Sequence, residues 1–514
     1  MSAVVDEVRT FSANALPNSW SAISLADIVR SDGVFVDGDW VESKDQDPQG
    51  DVRLIQLADI GDGEYRDRSE RFLTSQKARE LGCTFLEPGD VLIARMPDPL
   101  GRACIFPGDV KRAVTVVDVA VVRPRNPELN TRWLMYCINA PQFRRVVASM
   151  QSGSTRQRIS RKNLAKIVFL LPPRRVQDSS VAEIEKQFSR LDQAVASLQR
   201  VKAQLKRYKA SVLKAAVEGR LVETEAERAR REGRGLETGT ELAAQGSANA
   251  ARGRKPGAAP HYETGEQLLK RILETRRSQW KGKGKYKEPA APDASSLPEL
   301  PEGWVWATVN QLLASLRNGL SKKPEDSPPG IPILRISAVR PLELGIADHR
   351  FYRLAPNEDI QGYQLRKNDL LFVRYNGTKE LVGVCALVNS ALEPLLYPDK
   401  LIRGQVVHVS AIAPAFVALA ANVGVSRQHV EELIKTTAGQ QGIAGGEIKR
   451  MPIPLPPLAE QHRIVAEVDR RLSIVREVDA EVDANLRRAE CLRQSVLGAA
   501  FSGRLTGDAA AAAA

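Results

Sequence analysis

Val212-Leu213-Lys214-Ala215-Ala216-Val217-Glu218-Gly219-Arg220-Leu221 recurs as Val496-Leu497-Gly498-Ala499-Ala500-Phe501-Ser502-Gly503-Arg504-Leu505, 284 residues further on. The same offset relates Leu16-Pro17-Asn18-Ser19-Trp20 to Leu300-Pro301-Glu302-Gly303-Trp304, and 168–173 (VFLLPP) to 452–457 (PIPLPP). Between these marks, Gly89-Asp90-Val91-Leu92-Ile93-Ala94-Arg95 matches Asn368-Asp369-Leu370-Leu371-Phe372-Val373-Arg374 at an offset of 279, so the halves differ by short insertions. A period this long is not that of a solenoid or propeller. It denotes two copies of one module, each a globular part followed by a helix.

Apolar residues step by threes and fours through both helices. The first series is Val181, Ile184, Phe188, Leu191, Val195, Leu198, Val201, Leu205, Tyr208 and Val212. The second is Val465, Val468, Leu472, Val475, Val478, Val482, Leu486, Ala489, Leu492 and Val496. Heptad stepping over about five repeats predicts coiled-coil packing. The expected core is Ile184, Phe188, Leu191, Val195, Leu198 and Leu205 against Val468, Leu472, Val475, Val482, Leu486 and Leu492. Pro172-Pro173 and Pro456-Pro457 mark the helix starts, and Gly219 and Gly503 the stops. The first helix is rich in Lys and Arg, whereas the second mixes acids with arginines. That asymmetry favours mutual, antiparallel pairing of two modules related by a pseudo-two-fold axis.

The expected fold is therefore α+β, with two pseudo-symmetric domains at 16–173 and 298–457 separated by two long helices, 174–221 and 458–505, forming an antiparallel coiled coil. Residues 1–15 and 506–514 are tails. The linker, 222–297, is charged or Gly/Ala-rich and reads as flexible, apart from a short helix at Gly265–Trp280. Its basic strip at 281–287 (KGKGKYK) is either a solvated tether or a DNA contact. Strands are expected at Val52–Leu57, Val91–Ala94, Ala113–Val122, Ile331–Ile336, Leu370–Val373 and Gln405–Val409, with helices at Trp133–Met150 and Ser426–Thr437.

The 514 residues carry a net charge of +12, which favours a polyanionic partner because each cation set on a phosphate releases counterions. A generic basic protein kept soluble by charge is the alternative. The five cysteines form no Cys-x-x-Cys pair, so neither a disulfide framework nor a zinc site is indicated. The start, MSAVVDEVRT, has no signal-peptide pattern, and the longest apolar stretch, Ala411 to Val425, is interrupted by Pro414 and too short to span a bilayer. A cytoplasmic location is expected.

Leu455-Pro456-Pro457-Leu458-Ala459-Glu460-Gln461-His462-Arg463-Ile464-Val465, its long helix and the Gly503-Arg504-Leu505 end resemble the specificity subunit of type I restriction–modification systems. The element recurs as Leu171-Pro172-Pro173, the first helix and Glu218-Gly219-Arg220-Leu221, and the Gly89-Asp90 and Asn368-Asp369 strands resemble that family's Gly-Asp-aliphatic strand. Two departures stand out. Arg174-Arg175-Val176-Gln177-Asp178 replaces the usual Leu-x-Glu-Gln, and Asn368 replaces a glycine, although asparagine tolerates turn dihedrals. The resemblance implies a non-catalytic subunit whose two target-recognition domains each read one half of a split site in double-stranded DNA. It further implies docking of two methyltransferase subunits and of restriction/translocation subunits, with S-adenosylmethionine, ATP and Mg²⁺ belonging to those partners and no cofactor on this chain. A helix of about 38 residues rises roughly 57 Å. That length bounds the unread spacer at about 16–17 base pairs.

Loops on a rigid scaffold are the expected DNA readers, with Arg and Lys on phosphate or guanine and Asn or Gln on adenine. In the first domain the candidates are Arg95 and Ser154, Thr155, Arg156, Gln157 and Arg158. In the second they are Lys322, Lys323, Arg374, Asn376, Lys379, Gln440, Gln441 and Lys449. Two other readings stay open. Asp98, Asp109 and Lys111 fit a loose metal-dependent nuclease pattern, in which the carboxylates hold Mg²⁺ and the lysine supports the attacking water. The helices alone would suit a coiled-coil adaptor that does not touch DNA. No Walker A, Rossmann or Asn/Asp-Pro-Pro-aromatic motif is present, and no histidines stand at ligand spacing.

Overall fold

Ser21–Ser24 pairs antiparallel with Val168–Leu171, Ser21 opposite Leu171, and Val305–Thr308 pairs with Pro452–Leu455, Val305 opposite Leu455. Every residue of the second pair lies 284 after its counterpart, so the sequence repeat is a repeat of strand register. These strands belong to a computed structural model that describes residues 20–29, 32–108, 112–153, 156–233, 262–280, 284–356, 358–390, 394–437, 440–502 and 505. The chain divides into two units, one made of residues up to Val201 with those from Glu481 on, the other of Lys202–Ala480.

Each unit is built on a four-stranded antiparallel sheet. In the first its order is Val34–Asp37, Val119–Arg123, Val91–Ala94, Ala103–Ile105; in the second, Leu313–Asn318, Leu401–Val406, Leu370–Val373, Cys385–Leu387. The runs after the two Gly/Asn-Asp pairs are apolar throughout because both faces of the sheet are covered. Val91 and Ile93 enter one core and Leu92 and Ala94 another, as do Leu370 with Phe372 and Leu371 with Val373. Gly89 and Asn368 both take the left-handed backbone that this turn requires, at φ 91° and 73°.

Several boundaries differ from the sequence reading. Pro141 splits the expected Trp133–Met150 helix into Thr131–Asn139 and Pro141–Ser149, since proline has no N–H to continue the ladder. Ala113–Val122 is two strands. Ala113–Thr115 runs parallel to Val52–Ile55, and Val119–Arg123 joins the large sheet. The strand expected at Gln405–Val409 lies at Leu401–Val406, where Arg403 disguises it. That guanidinium donates to the Gln364 carbonyl at 2.7 Å and lies over the Tyr397 ring. The helix expected to reach Thr437 ends at Leu433, and Lys435–Thr437 pairs instead with Gln440–Gly442.

The linker is folded where it is described. Thr224 and Glu227 form a reciprocal cap on helix Glu225–Arg231, whose Ala226 and Ala229 pack with Tyr262. Thr264 and Gln267 cap Gly265–Ser278 in the same way, and its Leu268 and Ile272 are fully buried in the core of the second unit. The charge of TEAERARREGRG concealed this: Glu225 and the small alanines are buried, while the remaining charged residues occupy the other face. Residues 234–261, Gly503, Arg504 and the first three residues of the basic strip, 281–283, lie outside the described residues.

The long helices are Arg174–Val217 and Leu458–Ala500. In the first unit Ile184 and Phe188 pack with Leu497 and Ala500. In the second, Val212 and Ala216 share a core with Ile464, Val468 and Leu472. The start of one helix thus lies beside the end of the other in each unit, which is antiparallel packing. Val475 and Val482 are buried, and Leu191, Val195, Leu198, Leu205 and Leu486 are half-buried.

Leu492 is a correction, being 46% exposed. Inward positions follow one line of seven-residue spacing (Val468, Val475, Val482, Ala489) and the residues four further on. Leu492 and Val478 stand three further on and face water, as Val201 and Tyr208 do on the first helix. At the inward position beside Leu492 stands Arg493, which lies 4.4 Å over the Phe188 ring and pairs with Asp192.

Candidate nucleic-acid interface

Asp90 and Asp369, the acids of the repeated pair, are buried. Each accepts the backbone N–H three residues before it, from Glu87 at 2.8 Å and Arg366 at 2.9 Å. Asp90 takes two bonds from the Arg123 guanidinium, both 2.7 Å. At the matching position of the second unit stands Gln405, whose amide donates to Asp369 at 2.8 Å. Arg123 is held more firmly protonated by its bond to Asp90, whereas burial raises the Asp369 carboxyl above its ordinary range. The Gly-Asp strand is thus a structural clasp, and the two units differ in how they use the residue that leaves it.

That residue is Arg95 in one unit and Arg374 in the other, in the same backbone frame. The Arg95 N–H donates to Asp118 and its carbonyl accepts from Ile159; Arg374 bonds likewise to Lys400 and Ile443. Arg95 is turned inward, its side chain 15% exposed, with Nη1 2.6 Å from Asp37 and further bonds to the Ile159 and Val117 carbonyls. Arg374 lies 4.8 Å over the Tyr375 ring.

Beyond Arg95 the chain forms a tight loop, closed by reciprocal backbone bonds of 2.9 Å between Ser152 and Arg158. Gly153 at φ 101° makes the turn. Arg156, Gln157 and Arg158 are exposed, and neither arginine has an acidic partner among the described residues. Ser154 and Thr155 lie outside the described residues. The corresponding part of the second unit is a three-stranded sheet, Tyr375–Asn376, Gln440–Gly442 and Lys435–Thr437. It carries Asn376 and Gln441 half-buried and Gln440 exposed. Lys379 and Lys449 are exposed on a turn and on the short helix Gly445–Arg450. Lys322 is committed locally, donating to the Arg353 carbonyl at 2.8 Å above the Tyr352 ring, while Lys323 beside it is exposed. Exposed cations and amides of this kind can hold phosphate oxygens and base edges.

Of the nuclease reading, only Asp98 is described; Asp109 and Lys111 lie outside the described residues. Among the described residues no three metal-binding side chains come together, and no helix is long and apolar enough to cross a membrane.

No family model matches the chain. It is 25% identical over 482 residues to the type I restriction enzyme EcoEI specificity subunit of Escherichia coli, covering 88% of this chain and 78% of that one. The chain is related to the type I restriction specificity subunits. It is also 39% identical over 209 residues to the EcoKI specificity subunit of Escherichia coli strain K12, a stretch spanning 40% of this chain and 44% of that relative. Among solved structures, a chain from a study of complex assembly and conformational transition of the type I R-M system aligns with a TM-score of 0.59. At 15% identity, over 95% of this chain and 99% of that one, this is a likeness of fold.

One feature of this specificity-subunit relative escaped the sequence reading. Gln177 lies in the segment that departs from the Leu-x-Glu-Gln pattern, yet it occupies the place of Gln461. Each accepts a backbone N–H, from the half-buried Asn130 at 2.8 Å and the buried Ala413 at 2.9 Å, and each donates to the proline carbonyl five residues earlier at 2.9 Å. The 284-residue offset between the two glutamines was the available signal. Glu460, by contrast, has only Val176 as its counterpart. It is buried, accepts from the Trp304 indole at 3.0 Å and from the Glu225 N–H at 3.0 Å, and burial raises its carboxyl to about 7.

Proposed function

We propose that this chain is the sequence-reading subunit of a type I restriction–modification complex, each unit reading one half of a split site in double-stranded DNA. The observation that carries this is the relationship to a specificity subunit across 88% of the chain, on a module that is itself duplicated. The net charge of +12 and the exposed Arg156 and Arg158 of the 152–158 loop support a polyanionic ligand. In this reading the long helices are the ruler. Forty-four residues rise about 66 Å, which limits the unread spacer to about 19 base pairs.

The chain binds two methyltransferase subunits and restriction/translocation subunits in the cytoplasm. It performs no chemistry itself and binds no cofactor; S-adenosylmethionine, ATP and Mg²⁺ serve the partners. Duplex affinity, measured on the chain with its methyltransferase partner across a salt series, tests this. A log–log slope of several units is expected, because each phosphate contact contributes about 0.9. A flat response identifies an adaptor that does not engage DNA.

A further inference from the structure

Arg95 and Arg374 hold equivalent places, and so do the residues facing them. On the neighbouring edge strand Asp37 lies opposite Ala120, and Asn318 lies opposite Ile402. The residues that follow make matching bonds. Gly38 donates to Val119 and Asp39 to Thr115, just as Gly319 donates to Leu401 and Leu320 to Tyr397. The carboxylate that takes up Arg95 is therefore an amide in the second unit. Arg161, which lies 3.6 Å from Asp37 and opens the helix Arg161–Ala165, is replaced by Gly445, which opens Gly445–Arg450.

The consequence falls on the second arginine. Arg374 forms no ion pair with an acid among the described residues, and its Nε is shut off from water without a hydrogen-bond acceptor. A guanidinium that is partly desolvated and unpaired is a poor resting state and a good receptor for an anionic oxygen, to which its donors can bond in pairs. The stacked Tyr375 ring limits its rotamers, so little freedom is lost on binding.

We propose that Arg374 binds a backbone phosphate of the DNA, whereas its counterpart Arg95 is an internal strut. The two repeats thus use one conserved-frame arginine for two purposes, selected by Asn318 against Asp37. This rests on the duplex-binding reading above.

Asn318→Asp rebuilds the first unit's ion pair in the second and tests the proposal. With the chain and its methyltransferase partner on duplex DNA, the substitution should weaken binding on the order of tenfold at 0.1 M salt, on every sequence, and lower the salt slope by about 0.9. Arg374→Gln should do the same, and the double variant should lose no more than either alone. Asn318→Ala, which adds no charge, should bind like the parent. If the parent binds duplex and Asn318→Asp leaves affinity and slope unchanged, the proposal is wrong. Equal losses from Asn318→Ala also overturn it, by assigning the effect to the amide. A loss confined to one base sequence overturns the phosphate assignment. Failure of the parent itself to bind removes the duplex-binding reading, and this proposal with it.

Discussion

Gln177 and Gln461, 284 residues apart, are the same latch. Each ties the start of a long helix to the body of its unit through one accepted and at least one donated hydrogen bond in a site closed to water. Replacing Gln461 by leucine strands the Ala413 N–H and the Pro456 carbonyl. Burial of two unpaired groups should destabilise the second unit by about 2–4 kcal/mol. Urea unfolding of the full chain reads this out; a change below about 0.5 kcal/mol would mean that water replaces the amide.

The two aspartates of the repeated clasp should not be equivalent. Asp90→Asn turns a charged pair with Arg123 into a neutral contact and should cost about 2–3 kcal/mol. Asp369→Asn, hydrogen-bonded by the neutral Gln405, with the Arg403 guanidinium no nearer than 3.9 Å and the carboxylate already disfavoured by burial, should cost less, about 1 kcal/mol. Similar losses in denaturant unfolding would contradict the asymmetry.

Glu460 should make stability depend on pH. Its folded carboxyl titrates at about 7 against an ordinary 4.5, so the folded chain takes up the proton first. Its contribution is full below about 4.5 and is lost as the pH climbs through 7. Arg463 and Glu225 form an ion pair beside it. Between pH 5.5 and 8 the second unit should lose about 2 kcal/mol. Glu460→Gln should flatten that dependence, and comparing unfolding midpoints at the two pH values reads the difference.

Helix register gives a further contrast. Ile184 is fully buried and its change to alanine should cost about 2–5 kcal/mol. Leu492 lies on the water side, and Leu492→Ala should cost less than about 0.5 kcal/mol. Equal costs, measured by urea unfolding, would restore the three-residue step and place Leu492 in the seam.

The duplication, the strand after each Gly/Asn-Asp pair and both long helices were legible because they rest on periodicity, and periodicity survives in a single sequence. The side of the helix that packs was not. A step of three and a step of four are equally apolar at Val478 and Leu486, and only the facing helix decides between them. Glu225–Arg231 was hidden by its charge, and Leu401–Val406 by Arg403, whose guanidinium is satisfied by residues distant in sequence. At the candidate interface residue type pointed to Arg95 and Arg374 alike. The substitution that separates them, Asp37 against Asn318, lies on another strand and becomes visible only through sheet register.

The most direct measurement is a binding selection on random duplex DNA with this chain and its methyltransferase partner. Two short fixed blocks separated by a constant unread gap are predicted, one block per unit. A single continuous motif, or no enrichment by a folded complex, would contradict the central claim that two copies of one module each read half of a site.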